Sequence, residues 1–163
     1  MRPLVLCYST DRRTAALAQE LARRLDAEYG MIGCERYEGI FGWLRRIADL
    51  LSNHRPAISL PETQMSAARQ IIVGGPVWLG RPSGPVLTAL DGRLRACYDL
   101  MIFLTYGPAA GSYEAERALR HARLVFGSPF QAYTTVSPSE LDADAIGMTA
   151  ERLARLFRSP IRK

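Results

Sequence analysis

The chain has 163 residues, 48% apolar and 23% charged, and a formal charge of +5. This fits one domain over 1–163 with a sizeable core, and it excludes disordered and low-complexity classes. The cations are arginines scattered over helical segments (Arg23, Arg24, Arg45, Arg46, Arg117, Arg120, Arg123), not a basic run interleaved with aromatics. They read as solvated helix faces, with an anionic partner surface as the alternative, and nucleic acid is not expected.

The first predicted strand covers 3–8, where Leu4, Val5, Leu6 and Cys7 form an apolar run suited to a central parallel strand covered on both faces. A helix follows to about Leu25, with Leu17, Ala18, Leu21 and Leu25 on one stripe. A second strand is expected within 28–37. Next, Ile40, Phe41, Leu44, Ile47, Ala48 and Leu51 make a helical face. Residues 52–68, punctuated by Pro56 and Pro61, read as an irregular surface connection. A third apolar strand, 70–74, runs into a loop dense in Gly and Pro, and a short helix ends near Gly92. Residues 100–105 form a fourth strand and 106–111 a glycine-bearing loop. A helix over 113–126, a fifth strand over 130–136 and a helix over 142–158 complete the chain. Ile146, Leu153, Leu156 and Phe157 face inward on the last helix.

Strand and helix alternate without a repeat or linker, which predicts an α/β, doubly wound, parallel sheet built from right-handed crossovers. Ligands of such sheets sit beyond the carboxyl ends of the strands. The irregular loops follow the first, third and fourth strands.

The segment from Ile71 through Gly74, Gly75, Pro76, Val77, Trp78, Leu79, Gly80, Arg81 and Pro82 to Val86 resembles the flavin-contacting loop of the flavodoxin family. That loop follows an apolar strand with Gly-x-Pro-x-Trp-x-Gly and a proline-rich helix entry. Residues 4–25 look like the family's first strand, phosphate loop and helix. Residues 37–51 look like its aromatic-glycine second helix, and 100–111 like its fourth strand and loop. The resemblance implies a five-stranded sheet of order 2-1-3-4-5, which puts the three loops at one edge. It also implies FMN as cofactor, bound by Pro76, Val77, Trp78, Leu79 and Gly80, and by Thr105, Tyr106 and Gly107 after the fourth strand. An oxidoreductase or electron-transfer role follows, with a redox partner or quinone-like acceptor. Independently of the resemblance, glycines and prolines leave backbone N–H groups free for a heterocycle's edge, and Trp78 offers a surface for stacking. Packing of Trp78 against a helix is the competing reading.

The phosphate loop departs from the family pattern. Ser9 and Thr14 match the outer hydroxyls of Ser9-Thr10-Asp11-Arg12-Arg13-Thr14, but Asp11 replaces a Thr and Arg12 a Gly. The helix N-terminus still favours an anion, and Arg12 and Arg13 add cations. Asp11 opposes a phosphate or caps the helix. The alternative function is a flavodoxin-like fold with an altered or lost flavin site, acting as a binding module. Family electron carriers are typically acidic, so +5 leans toward a reductase.

A rival chemistry comes from Cys7, followed after five residues by Arg13 and Thr14. That arrangement resembles low-molecular-weight tyrosine phosphatases, with Cys7 as nucleophile and Arg13 holding phosphate. No aspartate is followed by proline, as the phosphatase acid usually is, and Cys7 falls inside a predicted strand. Cys7, Cys34 and Cys97 show neither a disulfide framework nor metal spacing. His54 and His121 read as surface residues. No stretch is long enough for a membrane span, a reducing cytoplasm is expected, and a homodimer is allowed.

Overall fold

The computed structural model describes residues 2–92, 94 and 99–158; Cys97 lies outside them. Strand β1, Leu4–Cys7, leads into helix α1, Arg12–Leu25, and strand β2, Glu28–Met31. A 3-10 turn at Glu35–Tyr37 precedes α2, Gly42–Ser52, and α3, Glu62–Ala67. Then come β3 (Ile71–Trp78), β4 (Arg81–Pro82), α4 (Gly84–Asp91), β5 (Leu100–Thr105), α5 (Ser112–Phe126), β6 (Ala132–Val136) and α6 (Ile146–Arg158). The parallel sheet has the order β2-β1-β3-β5-β6, with β4 pairing antiparallel to the end of β3. The expected five-strand order is therefore found, with one short strand added.

Side chains alternate across the central strands, so the sheet has two covered faces. Leu4, Leu6, Ile71, Val73, Ile102 and Leu104 pack with α4 and α5 residues such as Val86, Leu90, Leu119 and Phe126. Val5, Cys7, Ile72, Met101 and Phe103 pack with Leu17 and Leu21 of α1 and Leu153 and Phe157 of α6. At Gly74 a Cβ would stand 2.1 Å from the Phe103 ring, so only glycine lets β3 and that ring share the layer.

Four sequence expectations change. Strand β3 does not stop at Gly74: it stays paired with β5 until Pro76 lies opposite Thr105. Pro76, Val77 and Trp78 are therefore strand residues. The Gly74 carbonyl accepts the Tyr8 N–H on the β1 side, and Pro76, two residues on, points the same way after β1 has ended. Its missing donor falls where no partner strand needs it, while its carbonyl accepts the Ser83 N–H at 2.9 Å. Residues 52–68 are not wholly irregular, because α2 reaches Ser52 and α3 starts directly after Pro61. Proline's fixed φ ends one element and suits the entry to another. The last helix begins at Ile146, not 142, because Asp142 is extended (ψ 148°) after a 3-10 turn at Ser139–Leu141.

The fourth change concerns α2. The helix is amphipathic as expected, but Gly42 and Asp49 are its buried residues, while Trp43, Leu44, Ile47 and Leu51 are exposed. An ion pair with a buried carboxylate accounts for the rotation. Arg36 makes a two-pronged contact with Asp49, Nε to Oδ2 at 2.6 Å and Nη2 to Oδ1 at 2.7 Å, and Asp49 is 3% exposed. Gly42 allows the close approach, since a Cβ there would sit 2.0 Å from the Tyr37 carbonyl oxygen.

Candidate functional site

The carboxyl ends of β1, β3 and β5 lie side by side, with Cys7 opposite Gly74 and Pro76 opposite Thr105. In the first loop the Ser9 hydroxyl donates to the backbone carbonyl of Asp11, and the Asp11 N–H donates to Ser9 Oγ at 3.3 Å. Asp11 caps α1: its Oδ1 accepts the Thr14 N–H at 2.9 Å. Thr14 is buried, and its Oγ1 lies 3.0 Å from Oγ1 of Thr105 at the end of β5. One hydroxyl pair thus joins the first loop to the third. Thr10 and Arg12 are exposed, and Arg13 reaches out to Asp142 at 3.6 Å. Helix geometry leaves the first-turn amides of Arg12 and Arg13 without intrahelical acceptors.

In the second loop, β3 turns into β4 through Leu79 (φ 47°) and Gly80 (φ 70°), two successive positive-φ residues that give the tight twist of a two-residue hairpin. Val77 is buried and Leu79 is exposed at the tip. Arg117 of α5 donates from Nη2 to the Leu79 carbonyl at 2.8 Å and from Nε to the Gly80 carbonyl at 3.4 Å.

Trp78 is half-buried. Its ring meets Tyr8 edge-on at 5.9 Å and 82°, and Tyr37 at 5.9 Å and 62°. The Arg46 guanidinium carbon stands 5.9 Å from the centres of both the Tyr37 and Trp78 rings. Burial pushes the Tyr8 hydroxyl up to about 12 against the opposing charge of Arg46, so Tyr8 is a neutral donor at physiological pH. Beneath Trp78, a cavity of about 20 Å³ is lined by Tyr37, Arg46, Leu87 and others, room for about one water. In the third loop Tyr106 is half-buried and its N–H donates to the Val136 carbonyl at 3.2 Å. Gly107 is exposed, with no atom within 4 Å of a Cβ position.

The sheet edge therefore gathers Ser9, Asp11, Thr14, Thr105 and the strand residues Pro76, Val77 and Trp78. Arg12, Arg13 and Gly107 stand at its rim. Tyr8, Arg46 and Arg117 are additional residues that sequence reasoning passed over. The arginines were expected as solvated helix faces. Only the folded chain shows Arg46 turned under the Trp78 loop and Arg117 reaching to the hairpin.

The rival nucleophile is not available. Cys7 is 0% exposed inside β1, and burial, with the nearby Asp11 charge, pushes its thiol up to about 12. Its Sγ points to the carbonyls of Tyr8 and Thr14. His54 is exposed and His121 half-buried. Among the described residues no group of His, Cys, Asp and Glu could hold a metal ion, and no helix is long and apolar enough to cross a membrane.

No family model matches the chain, and no curated protein matches it. Solved structures do. A flavoprotein from Lactobacillus acidophilus NCFM, in complex with FMN, superposes with a TM-score of 0.68 at 22% identity, over 86% of this chain and 96% of that one. A candidate flavoprotein from Bacteroides eggerthii gives 0.71 at 16% identity, over 94% and 98%. Oxidised flavodoxin 2 from Bacillus cereus gives 0.58 at 16% identity, over 97% and 98%. With the strand order and the edge of converging loops, these likenesses establish that this chain has the flavodoxin-like fold.

Proposed function

We propose that the chain is a flavin-dependent redox protein that binds FMN at the carboxyl edge of its sheet and serves as an oxidoreductase or electron-transfer protein. The observation that carries this reading is the Thr14–Thr105 hydroxyl contact, which locks the first loop to the third beside the Trp78 strand end. A solved flavoprotein of the same fold, crystallised with FMN, supports it.

The residues present fit the group. The first-turn amides of Arg12 and Arg13 and the positive end of α1 suit a phosphate, and the two guanidinium groups add charge from the rim. Trp78 at the end of β3 and Tyr106 in the loop after β5 would supply the aromatic walls. Tyr8 and Tyr37 meet the Trp78 ring at steep angles, and its half-buried position leaves part of its surface accessible. Bound FMN supplies one- and two-electron transfer. The chain's own part is to position the ring, exclude water with the buried strand ends, and set the local charge. Arg46 and Arg117 make that charge positive, which favours an electron-rich flavin.

A second reading has its own observation. The Asp11 carboxylate already takes the Thr14 N–H and places negative charge at the phosphate position, as a site retired from flavin binding would allow. Titration of the purified protein with FMN and riboflavin separates the two. Saturable FMN binding with a shifted flavin spectrum supports the first. Absence of binding by either compound leaves the fold as a binding module. Trp78→Ala should weaken FMN binding by about 0.5–1.5 kcal/mol plus lost burial.

A further inference from the structure

The outward face of α2 is the most apolar surface of the described chain, and it is independent of the flavin reading. Ile40, Phe41, Trp43, Leu44, Ile47 and Leu51 are between 46% and 82% exposed. From Trp43 onward they fall on one side of the helix, opposite Gly42, Arg46 and Asp49. A monomer ordinarily exposes a few hundred Å² of contiguous apolar surface. Taking roughly 200 Å² for a large side chain, these six present on the order of 700 Å². A standard interface needs about 800 Å² from each partner.

We propose that this face is a homodimer interface, in which α2 packs antiparallel on α2 of a second copy about a two-fold axis. The area approaches what a standard interface buries on each side, and the helix dipoles agree with the arrangement. Antiparallel packing opposes the two helix dipoles. It also lays Ile40 and Phe41 of one copy over the Leu51 end of the other, with Leu44 and Ile47 near the axis.

A membrane surface suits the face less well. Surface-lying helices carry Lys and Arg on the polar side to meet headgroups. Here the polar side is largely engaged within the chain: Arg46 lies by Trp78 and Tyr37, Asp49 is paired with Arg36, and exposed Arg45 donates to the Arg36 carbonyl at 3.2 Å. The dimer contact would also brace the helix that holds Arg46 beside the Trp78 loop.

The test is sedimentation equilibrium of the intact chain over a broad concentration range. Wild type is expected to dimerise. Ile47→Glu and Leu51→Glu, both at exposed positions, should raise the dimer dissociation constant roughly tenfold or more with unchanged circular dichroism. Leu124→Glu, at an equally exposed site on α5, should leave it unchanged. A wild type that stays monomeric throughout overturns the proposal. So does a dimer indifferent to both α2 variants, or one dissociated by Leu124→Glu. Monomeric protein that co-sediments with phosphatidylserine vesicles, and loses this through Ile47→Glu, overturns it in favour of a lipid surface.

Discussion

Arg117 Nη2 donates to the carbonyl oxygen of Leu79 at 2.8 Å, fixing the tip of the β3–β4 hairpin to α5 across 38 residues of sequence. The hairpin carries two positive-φ residues in a row, one of them a leucine, a conformation that costs free energy at a non-glycine residue. The guanidinium offsets part of that cost. It also fills the space beside Gly80, where a Cβ would come within 2.2 Å of it. Arg117→Ala should lower stability by only about 1 kcal/mol, since the side chain is exposed. The same change should loosen the Trp78 loop and weaken FMN binding by a larger factor. Melting curves and flavin titration measure the two effects separately; equal losses in both would mean that Arg117 acts on the fold alone.

The phosphate loop yields a prediction about salt. With a carboxylate at position 11 and arginines at 12 and 13, phosphate affinity rests partly on exposed side-chain charge. It should fall as ionic strength rises, the Debye length being about 8 Å at physiological salt. FMN should bind more tightly than riboflavin. Asp11→Thr combined with Arg12→Gly should strengthen FMN binding and flatten its salt dependence, because backbone amides replace side-chain charge. Titrations at several salt concentrations check this, and an unaltered salt slope in the double variant would refute it.

Cys7 should behave as a core residue. With its thiol pushed up to about 12, almost none is thiolate at neutral pH, so alkylation should proceed only as fast as the protein unfolds. Aryl phosphate hydrolysis should be negligible. Turnover abolished by Cys7→Ser would contradict the burial argument and restore the phosphatase chemistry.

The Arg36–Asp49 pair predicts a pH dependence. The guanidinium contacts hold the Asp49 carboxyl below the usual range despite its burial. A depressed folded-state value means the stabilisation is fully present above the ordinary carboxylate range, near about 3.9. It is lost as pH falls through the folded-state value. Asp49→Asn should destabilise by about 1–3 kcal/mol at neutral pH, and the gap to wild type should close in acid. Denaturant melts across the acid range measure this gap, and a constant gap would show that the charge is not the cause.

Local rules carried most of the fold. Leu4 to Cys7 reads as a buried parallel strand because a doubly covered strand needs apolar residues on both faces. Asp11 reads as a cap because its carboxylate can reach the amide of Thr14 within the same turn. Tight loops at Gly80 and Gly107 are likewise legible, since glycine is where the backbone turns easily. The converging edge was anticipated from loop positions and the resemblance. The Thr14–Thr105 contact was not, because residues 91 positions apart become neighbours only through strand order.

By itself, then, the sequence determined where most strands and helices lie, through periodicities of two and 3.6 that act over a few residues, while the edge shared by the loops followed from the family resemblance. Tertiary structure alone decided the length of β3 and the direction of α2. Pro76 can extend a strand because β1 ends before reaching its blocked side. The apolar stripe of α2 faces outward because Arg36 and Asp49 pair beneath it while Gly42 lets the helix close on Tyr37. Helical periodicity defines a stripe but not the side that is buried; that depends on partners brought together only when the chain folds.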